Sequence, residues 1–215
     1  MPIPLHHPST ILIAGPTGSG KTVFVKRLIC ENMLSPPPTR IVIVYGERQK
    51  IYDDLAKQIP SIEFIKGPTP PDLYESFISD ENNLLVLDDQ MTEGANTDQI
   101  ERFFVQGSHH RNLTVVFIVQ NIFGKNKALR TSSLNSNYMI LYKNPRDKQQ
   151  MATLGRQIYP HAWKNLIAAI SDATAEPYSY VLLDMRPDTP EEYRIRANIF
   201  PSEADLGTTV YIMPS

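Results

Sequence analysis

The sequence predicts an α/β fold in which a mostly parallel sheet is covered by helices on both faces. Three observations point there. Apolar runs at residues 10–14, 40–45, 84–87, 114–119 and 138–142 are each too short for a helix and bounded by turn residues. Runs of that kind read as strands buried on both faces. Segments with helical apolar spacing stand between them, as the crossovers of a parallel sheet require. A glycine-rich loop joins the first of these strands to the first helix.

After the strand at 10–14 and the loop at 15–20, residues 21–31 put apolar side chains at 24, 25, 28 and 29, one helical face. Ser35 and three prolines stop that helix, and a second buried strand follows at 40–45. The pattern predicts a helix over 52–59, a short strand over 62–65, and a helix over 71–78. That last helix starts at Pro71, where a missing N–H costs nothing. The strand at 84–87 ends in Asp88-Asp89. The helix at 97–106 takes Thr97 or Asn96 as its cap. After the strand at 114–119, residues 121–135 are polar, basic and loop-like. The strand at 138–142 is followed by helices at about 146–157 and 160–171. Residues 178–183 and 193–199 read as strands joined through Arg186-Pro187-Asp188, a late hairpin or paired edge. No repeat, low-complexity tract or linker interrupts the series. Residues 1–215 therefore read as one domain, with about 160–215 as a C-terminal extension.

Composition narrows the class. The 215 residues are 41% hydrophobic and 20% charged with a formal net charge of −2, which argues against a disordered, collagen-like or disulfide-built chain. The single cysteine, Cys30, cannot form an internal disulfide and fits a reducing compartment. No apolar run approaches the roughly 18 residues of a membrane span. The N-terminus lacks the basic and apolar regions of a signal peptide, so the expectation is a protein that is not secreted. Charge is blocked along the chain. Residues 51–101 hold 12 acids and two lysines, whereas residues 121–164 hold eight Lys/Arg and one acid, Asp147, for a net of +7. The blocks can neutralise each other within one fold, or the basic one can face a polyanion; charge alone does not choose.

Gly15-Pro16-Thr17-Gly18-Ser19-Gly20-Lys21-Thr22 fits G-x-x-x-x-G-K-[ST] at every fixed position, between a strand and a helix. Glycines there leave backbone N–H groups free to turn toward phosphate oxygens, and the helix beginning at the loop aims its positive end at the same anion. Lys21 is placed for the β/γ-phosphates, Thr22 for Mg²⁺, and Val23 follows in the same nucleotide-binding segment. The motif thus points to a P-loop that binds ATP and Mg²⁺. The strand at 84–87 delivers Asp88 to the sheet edge where open α/β sheets bind ligands, as a second Mg²⁺ ligand. Asp89 is the candidate base that orients and deprotonates an attacking water; its competing role is to cap the following turn. Gln120 ends the strand at 114–119. In P-loop ATPases of the additional-strand (RecA-like) type, this strand inserts between the P-loop strand and the acidic one. Gln120 would then sense the γ-phosphate; otherwise it satisfies loop backbone.

Adjacent His109 and His110 invite a metal, but no other His or Cys nearby completes a ligand set. Arg111 is a candidate to reach a neighbouring subunit's γ-phosphate; the alternative is a surface arginine paired with Asp98 or Glu101. Lys125, Lys127 and Arg130, downstream of Gln120, and Arg146, after the fifth strand, are candidate DNA contacts or simply solvated charges. Trp163, Tyr138, Tyr142 and Tyr159 read as core rather than base-stacking groups.

Together these blocks resemble the genome-packaging ATPases of the FtsK/HerA superfamily, and most nearly the poxvirus-type enzymes of large DNA viruses, virophages and Polinton/Maverick elements. The likeness is carried by GPTGSGKT at 15–22, LLVLDD at 84–89, GSHHRNLTVVFIVQN at 107–121 and RTSSLNSNYMILYKNPRDK at 130–148. It implies ATP hydrolysis with Mg²⁺ that drives double-stranded DNA into a preformed capsid. The motor would be a ring (pentamer or hexamer) with a capsid or portal protein as partner and no membrane. The implied location is inside the host, in the nucleus or a cytoplasmic virus factory, with association with the virion also open. Many such proteins carry Glu where this chain has Asp89, one methylene shorter. Residues beyond about 160 match no motif of the family. A helicase or other translocase of the same superfamily, a nucleotide kinase, and a non-catalytic assembly protein are the competing functions. A GTPase would need Asn-Lys-x-Asp, and Asn126-Lys127-Ala128-Leu129 lacks the Asp.

Overall fold

Alternation along the central strands sorts the core into two layers. The computed structural model describes residues 3–90, 97–122, 127–146, 148–203, 205 and 207–214. Their elements are β1 (Leu5–His6), β2 (Thr10–Ala14), α1 (Lys21–Cys30), β3 (Leu34–Ser35), β4 (Arg40–Tyr45), α2 (Lys50–Gln58), β5 (Glu63–Lys66), α3 (Leu73–Ser76), β6 (Asn83–Asp88), α4 (Thr97–His110), β7 (Leu113–Val119), α5 (Lys127–Leu134), β8 (Tyr138–Tyr142), α6 (Lys148–Ile158), α7 (Trp163–Ala173), β9 (Tyr180–Asp184), β10 (Ile195–Ala197) and β11 (Thr209–Val210). Ile11 and Ile13 of β2, Ile41 and Ile43 of β4, and Val116 and Ile118 of β7 pack with Phe24, Leu28 and Leu55 of α1 and α2. The intervening Leu12, Val42, Val44, Val115 and Phe117 pack with Ile100 and Phe103 of α4 and Leu166 and Ile170 of α7. The period of two thus gives each face its own apolar cover.

Among the described residues the main sheet has nine strands in the order β11-β10-β9-β8-β2-β7-β6-β4-β5. From β8 to β5 all neighbours are parallel, and β9, β10 and β11 add antiparallel strands at one edge. The decisive feature is β7. It pairs with β2 on one side (Ala14 opposite Val119) and with β6 on the other (Asp88 opposite Ile118). The strand after the acidic one therefore does insert beside the P-loop strand, and the C-terminal ends of β2, β7, β6 and β4 share one sheet edge.

The structure corrects several expectations. Residues 121–135 are not a loop throughout, because 127–134 form α5. Among its described side chains the buried ones are Ser132 and Ser133, whereas Leu134 is exposed, so the part from 131 to 134 carries no apolar face for periodicity to register. The helix expected over 71–78 shrinks to Leu73–Ser76, because Phe77 turns extended (φ −79°, ψ 126°) and is fully buried. The late strands begin at Tyr180 and Ile195, later than expected. The two-residue pair β1–β3 is too short to show periodicity. α4 begins at Thr97; of the two expected caps, Asn96 lies outside the described residues, and of Thr97 only the backbone is described.

Candidate functional site

The loop between β2 and α1 is shaped by what surrounds it. A β-carbon at Gly15 would stand 2.6 Å from Cβ of Tyr142, so only glycine lets β8 approach the loop this closely. Gly20, at φ 107°, caps α1 in the left-handed region that favours glycine. The Tyr142 hydroxyl donates to the Gly20 carbonyl at 3.2 Å, and the Phe24 N–H donates to the same oxygen at 2.9 Å. Lys21 folds over the loop, its Nζ donating to the carbonyls of Gly15 (2.6 Å) and Pro16 (2.9 Å). Burial lowers the lysine's pKa, while the charges of Asp88 and Asp89 oppose that shift. Both carboxylates thus sit within electrostatic reach of Lys21.

Asp88 ends β6 and is buried. Its Oδ2 accepts hydrogen bonds from the Tyr52 hydroxyl and from Gln49 Nε2, the latter at 3.1 Å. Burial pushes the Asp88 carboxyl up from its ordinary range, and Asp89 adds to that; Tyr52 and Lys21 pull the other way. The Tyr52 hydroxyl is held far above the ordinary tyrosine value, first by burial and then by the Asp88 charge. The Thr22 side chain acts against that shift. Thr22 and Asp88 line the same cleft, so the two predicted metal ligands share one site. A hydroxyl and a carboxylate are the hard oxygen donors that Mg²⁺ takes alongside water and phosphate oxygens. No group of three or more His, Cys, Asp or Glu side chains that could hold a metal occurs among the described residues.

Asp89 is exposed at φ 56°, a left-handed conformation that Asp tolerates better than most residues. A β-carbon at Gly46 would come within 3.3 Å of Asp89 Oδ2, so the loop after β4 supports this carboxylate closely. Gln90, next in line, is buried, donating to the carbonyls of Gly67 (3.1 Å) and Asp88 (3.3 Å). These contacts fix the chain just past the acidic pair.

These groups open onto one cleft of about 980 Å³, lined by residues 17–23, 47–51, 88–89, 118–121 and Tyr178. Gln120 is on its wall, together with Lys21, Thr22, Asp88 and Asp89. Arg111 is elsewhere. It lies before β7 and Gln120 just after it, and seven strand residues at about 3.3 Å each separate these ends by roughly 23 Å. Arg111 donates to the Phe77 carbonyl at 3.2 Å, with its guanidinium 5.2 Å from the centre of the Tyr74 ring; among the described residues these, rather than Asp98 or Glu101, are its partners. It is thus at the opposite sheet edge from its own chain's P-loop. Arg146 is exposed on the P-loop edge, in the turn after β8. Lys127 and Arg130 fall in α5, with only their backbone described, and Lys125 lies outside the described residues. Tyr138 and Tyr142 are core residues, as expected, whereas Tyr159 and Trp163 are only half-buried.

Sequence inspection missed Tyr52, Gln49, Glu47 and Tyr178. Tyr52 looks like any apolar position of an amphipathic helix, and its partner is 36 residues away. Glu47 and Gln49 follow β4, whose C-terminal end borders Asp88 (Tyr45 opposite Asp88). Strand order would have revealed them; motif spacing could not.

A strand, a glycine loop with Lys-Thr, a helix, and an extra strand dividing the loop strand from the acidic strand define the P-loop NTPase fold. The solved structures that share it include two from viruses. The genome-packaging NTPase B204 of Sulfolobus turreted icosahedral virus 2, in complex with ATP-gammaS, matches with a TM-score of 0.52 and 11% identity over 88% of this chain and 96% of that one. B204 of Sulfolobus turreted icosahedral virus, described as a DNA-packaging ATPase, gives 0.55 and 12% over the same shares. At such identities the likeness is one of fold. No family model and no curated protein matches the chain.

Proposed function

We propose that this protein is an ATP-hydrolysing motor that moves double-stranded DNA into a viral or transposon capsid as a ring oligomer. The observation that carries the hydrolytic part is convergence. Lys21, Thr22, Asp88, Asp89 and Gln120, from the ends of two parallel strands and the start of a helix, line one cleft. The packaging part draws support from the fold shared with the two B204 structures and from the sequence blocks noted above.

In this mechanism the loop N–H groups and Lys21 bind the phosphates of ATP, and Lys21 exchanges its two carbonyl partners for phosphate oxygens. Thr22 and Asp88 would hold Mg²⁺, which supplies charge neutralisation at the β- and γ-phosphates. Tyr52 and Gln49 keep the Asp88 carboxylate aimed. Asp89 accepts the proton of a water whose oxygen bonds to the γ-phosphorus as the bond to ADP breaks. Gln120 registers the loss of that phosphate. Arg111 is too far to serve its own cleft, so it acts only across a subunit boundary. Arg146, Lys143 and Lys148 give the P-loop edge an exposed positive rim for DNA phosphates. The motor works inside the host cell.

The test is the ATPase rate with and without long double-stranded DNA at two salt concentrations, with Lys21→Ala as the blank. Stimulation by DNA that weakens as salt rises is expected. Hydrolysis indifferent to DNA would remove the translocase part and favour a small-molecule kinase. No hydrolysis with DNA and a capsid partner would favour a non-catalytic assembly protein.

A further inference from the structure

The cleft has two chemically different ends. One is polar, with Lys21, Asp88, Asp89 and Gln120. At the other, two apolar side chains face solvent beside the start of α1. Val23 is 50% exposed, although Phe24, Val25 and Leu28 of the same helix are buried. Tyr178 is 73% exposed and lines the same cleft. They lie close to each other: a β-carbon on Gly20 would stand 3.7 Å from Cβ of Tyr178, and Val23 is one helical turn beyond Gly20 on the same side. Tyr178 is also held at φ 64°, in a left-handed conformation that a bulky aromatic residue rarely adopts. The turn that holds it is tied by Ser179, whose Oγ and N–H both donate to the Glu176 carbonyl at 2.6 and 3.3 Å. Burial does not explain this ring, because most of it is in water.

We propose that Tyr178 and Val23 form the platform for the base of a bound nucleoside triphosphate. This rests on the nucleotide-binding reading above and deepens it. A triphosphate in the P-loop has its reactive end toward Asp89 and Gln120. Its nucleoside must then leave past the start of α1, where a flat heteroaromatic ring meets the Tyr178 ring and the Val23 methyls. Stacking on a tyrosine tolerates any base, because every base has a π-face, so it supplies affinity before discrimination. The segment between α7 and β9 thereby acquires a role: it brings the C-terminal strands to the nucleotide.

The experiment is calorimetric titration of the full chain in magnesium buffer with ATP and, separately, with inorganic tripolyphosphate. The variants are Tyr178→Gly, Tyr178→Phe and Lys21→Ala. Glycine suits φ 64°, so Tyr178→Gly removes the ring and relieves the backbone, and its melting temperature is expected to stay level or rise. ATP affinity should fall about tenfold in Tyr178→Gly and be kept in Tyr178→Phe. Tripolyphosphate affinity should be unchanged in both and lost in Lys21→Ala. Equal loss of the two ligands in Tyr178→Gly would mean that Tyr178 shapes the phosphate loop, and would overturn the base platform. So would ATP affinity that ignores the ring, or a wild type that binds both ligands equally well. A wild type that binds neither ligand would overturn the nucleotide-binding reading along with it.

Discussion

Replacing Tyr52 by Phe tests the most buried contact of the site. The ring is fully buried and would remain, so no cavity opens; only the hydroxyl that donates to Asp88 Oδ2 is lost. Asp88 keeps Gln49 as a partner at 3.1 Å but loses its other donor inside the protein. A hydrogen bond to a charged group contributes about 1.5–3 kcal/mol. For a domain of this size, about 2 kcal/mol lowers the melting temperature by roughly 4–8 °C. The loss should also reach the chemistry. A partner that orients a metal-binding carboxylate typically changes metal affinity or activity by about 10–100-fold when removed. The Mg²⁺ concentration for half-maximal hydrolysis should therefore rise by about that factor, with the rate partly recovered at high Mg²⁺. Tyr45→Phe is the control. Its hydroxyl faces Arg48 at 3.2 Å rather than Asp88, and it should leave the Mg²⁺ dependence alone. Thermal unfolding and a Mg²⁺ titration of ATPase rate are sufficient assays. A Tyr52→Phe protein with an unmoved melting temperature and unmoved Mg²⁺ dependence would refute the role given to this contact.

Lys21→Ala should lower hydrolysis by roughly 100-fold or more with little change in unfolding, since Nζ bonds only loop carbonyls; an active variant would sink the site. Asp89→Asn should cost about 10²–10⁴ in kcat with a small effect on nucleotide affinity, and a rate within a few-fold of wild type would transfer the base role to another carboxylate, with Glu47 on the cleft wall the first to test. Mixing Arg111→Ala with Asp89→Asn subunits should restore part of the activity, because each mixed boundary can pair an intact cleft with an intact arginine; no recovery at any ratio would exclude a trans role. His7 gives a pH signature. Its buried ring, bonded to Thr114 Oγ1 at 2.7 Å, has its pKa lowered to about 4 by burial and then by His6, with a backbone hydrogen bond at Asn112 opposing. The unfolded chain takes up this proton near pH 6.5 and the folded one only near 4, so stability is lost as pH falls through that window, by on the order of 3 kcal/mol. Urea unfolding at pH 7 and pH 4 should show that loss in the wild type and a smaller one in His7→Gln.

What the sequence revealed and what it hid follow from the range of the interactions. Strands 10–14, 40–45 and 138–142 were legible residue for residue, because a strand buried on both faces is apolar throughout and needs no partner to be recognised. The P-loop was legible because its chemistry is contiguous. α5 was not, since among its described side chains the buried ones are Ser132 and Ser133, and periodicity in apolar residues does not register serines. Tyr52, Gln49 and Tyr178 were hidden for a different reason. Each acquires its role from a neighbour far away in sequence, through strand order that no local window contains.

That strand order also divides the labour of the sheet. Because β7 lies between β2 and β6, its exit places Gln120 between the phosphate loop and the acidic pair, and its entry leaves Arg111 at the far edge. One strand thus leads to Gln120 on the cleft wall at its exit and to Arg111 at its entry, some 23 Å away by strand length. A packed central strand is stiff, being bonded along both sides, so a shift at Gln120 would carry to the Arg111 end with little loss. In a ring, that strand could link the state of one nucleotide to the subunit boundary. A ring of Gln120→Ala subunits that keep Arg111 and Asp89 tests the link: hydrolysis should persist while its stimulation by DNA is lost. Stimulation that survives the loss of Gln120 would show that the strand does not transmit the signal.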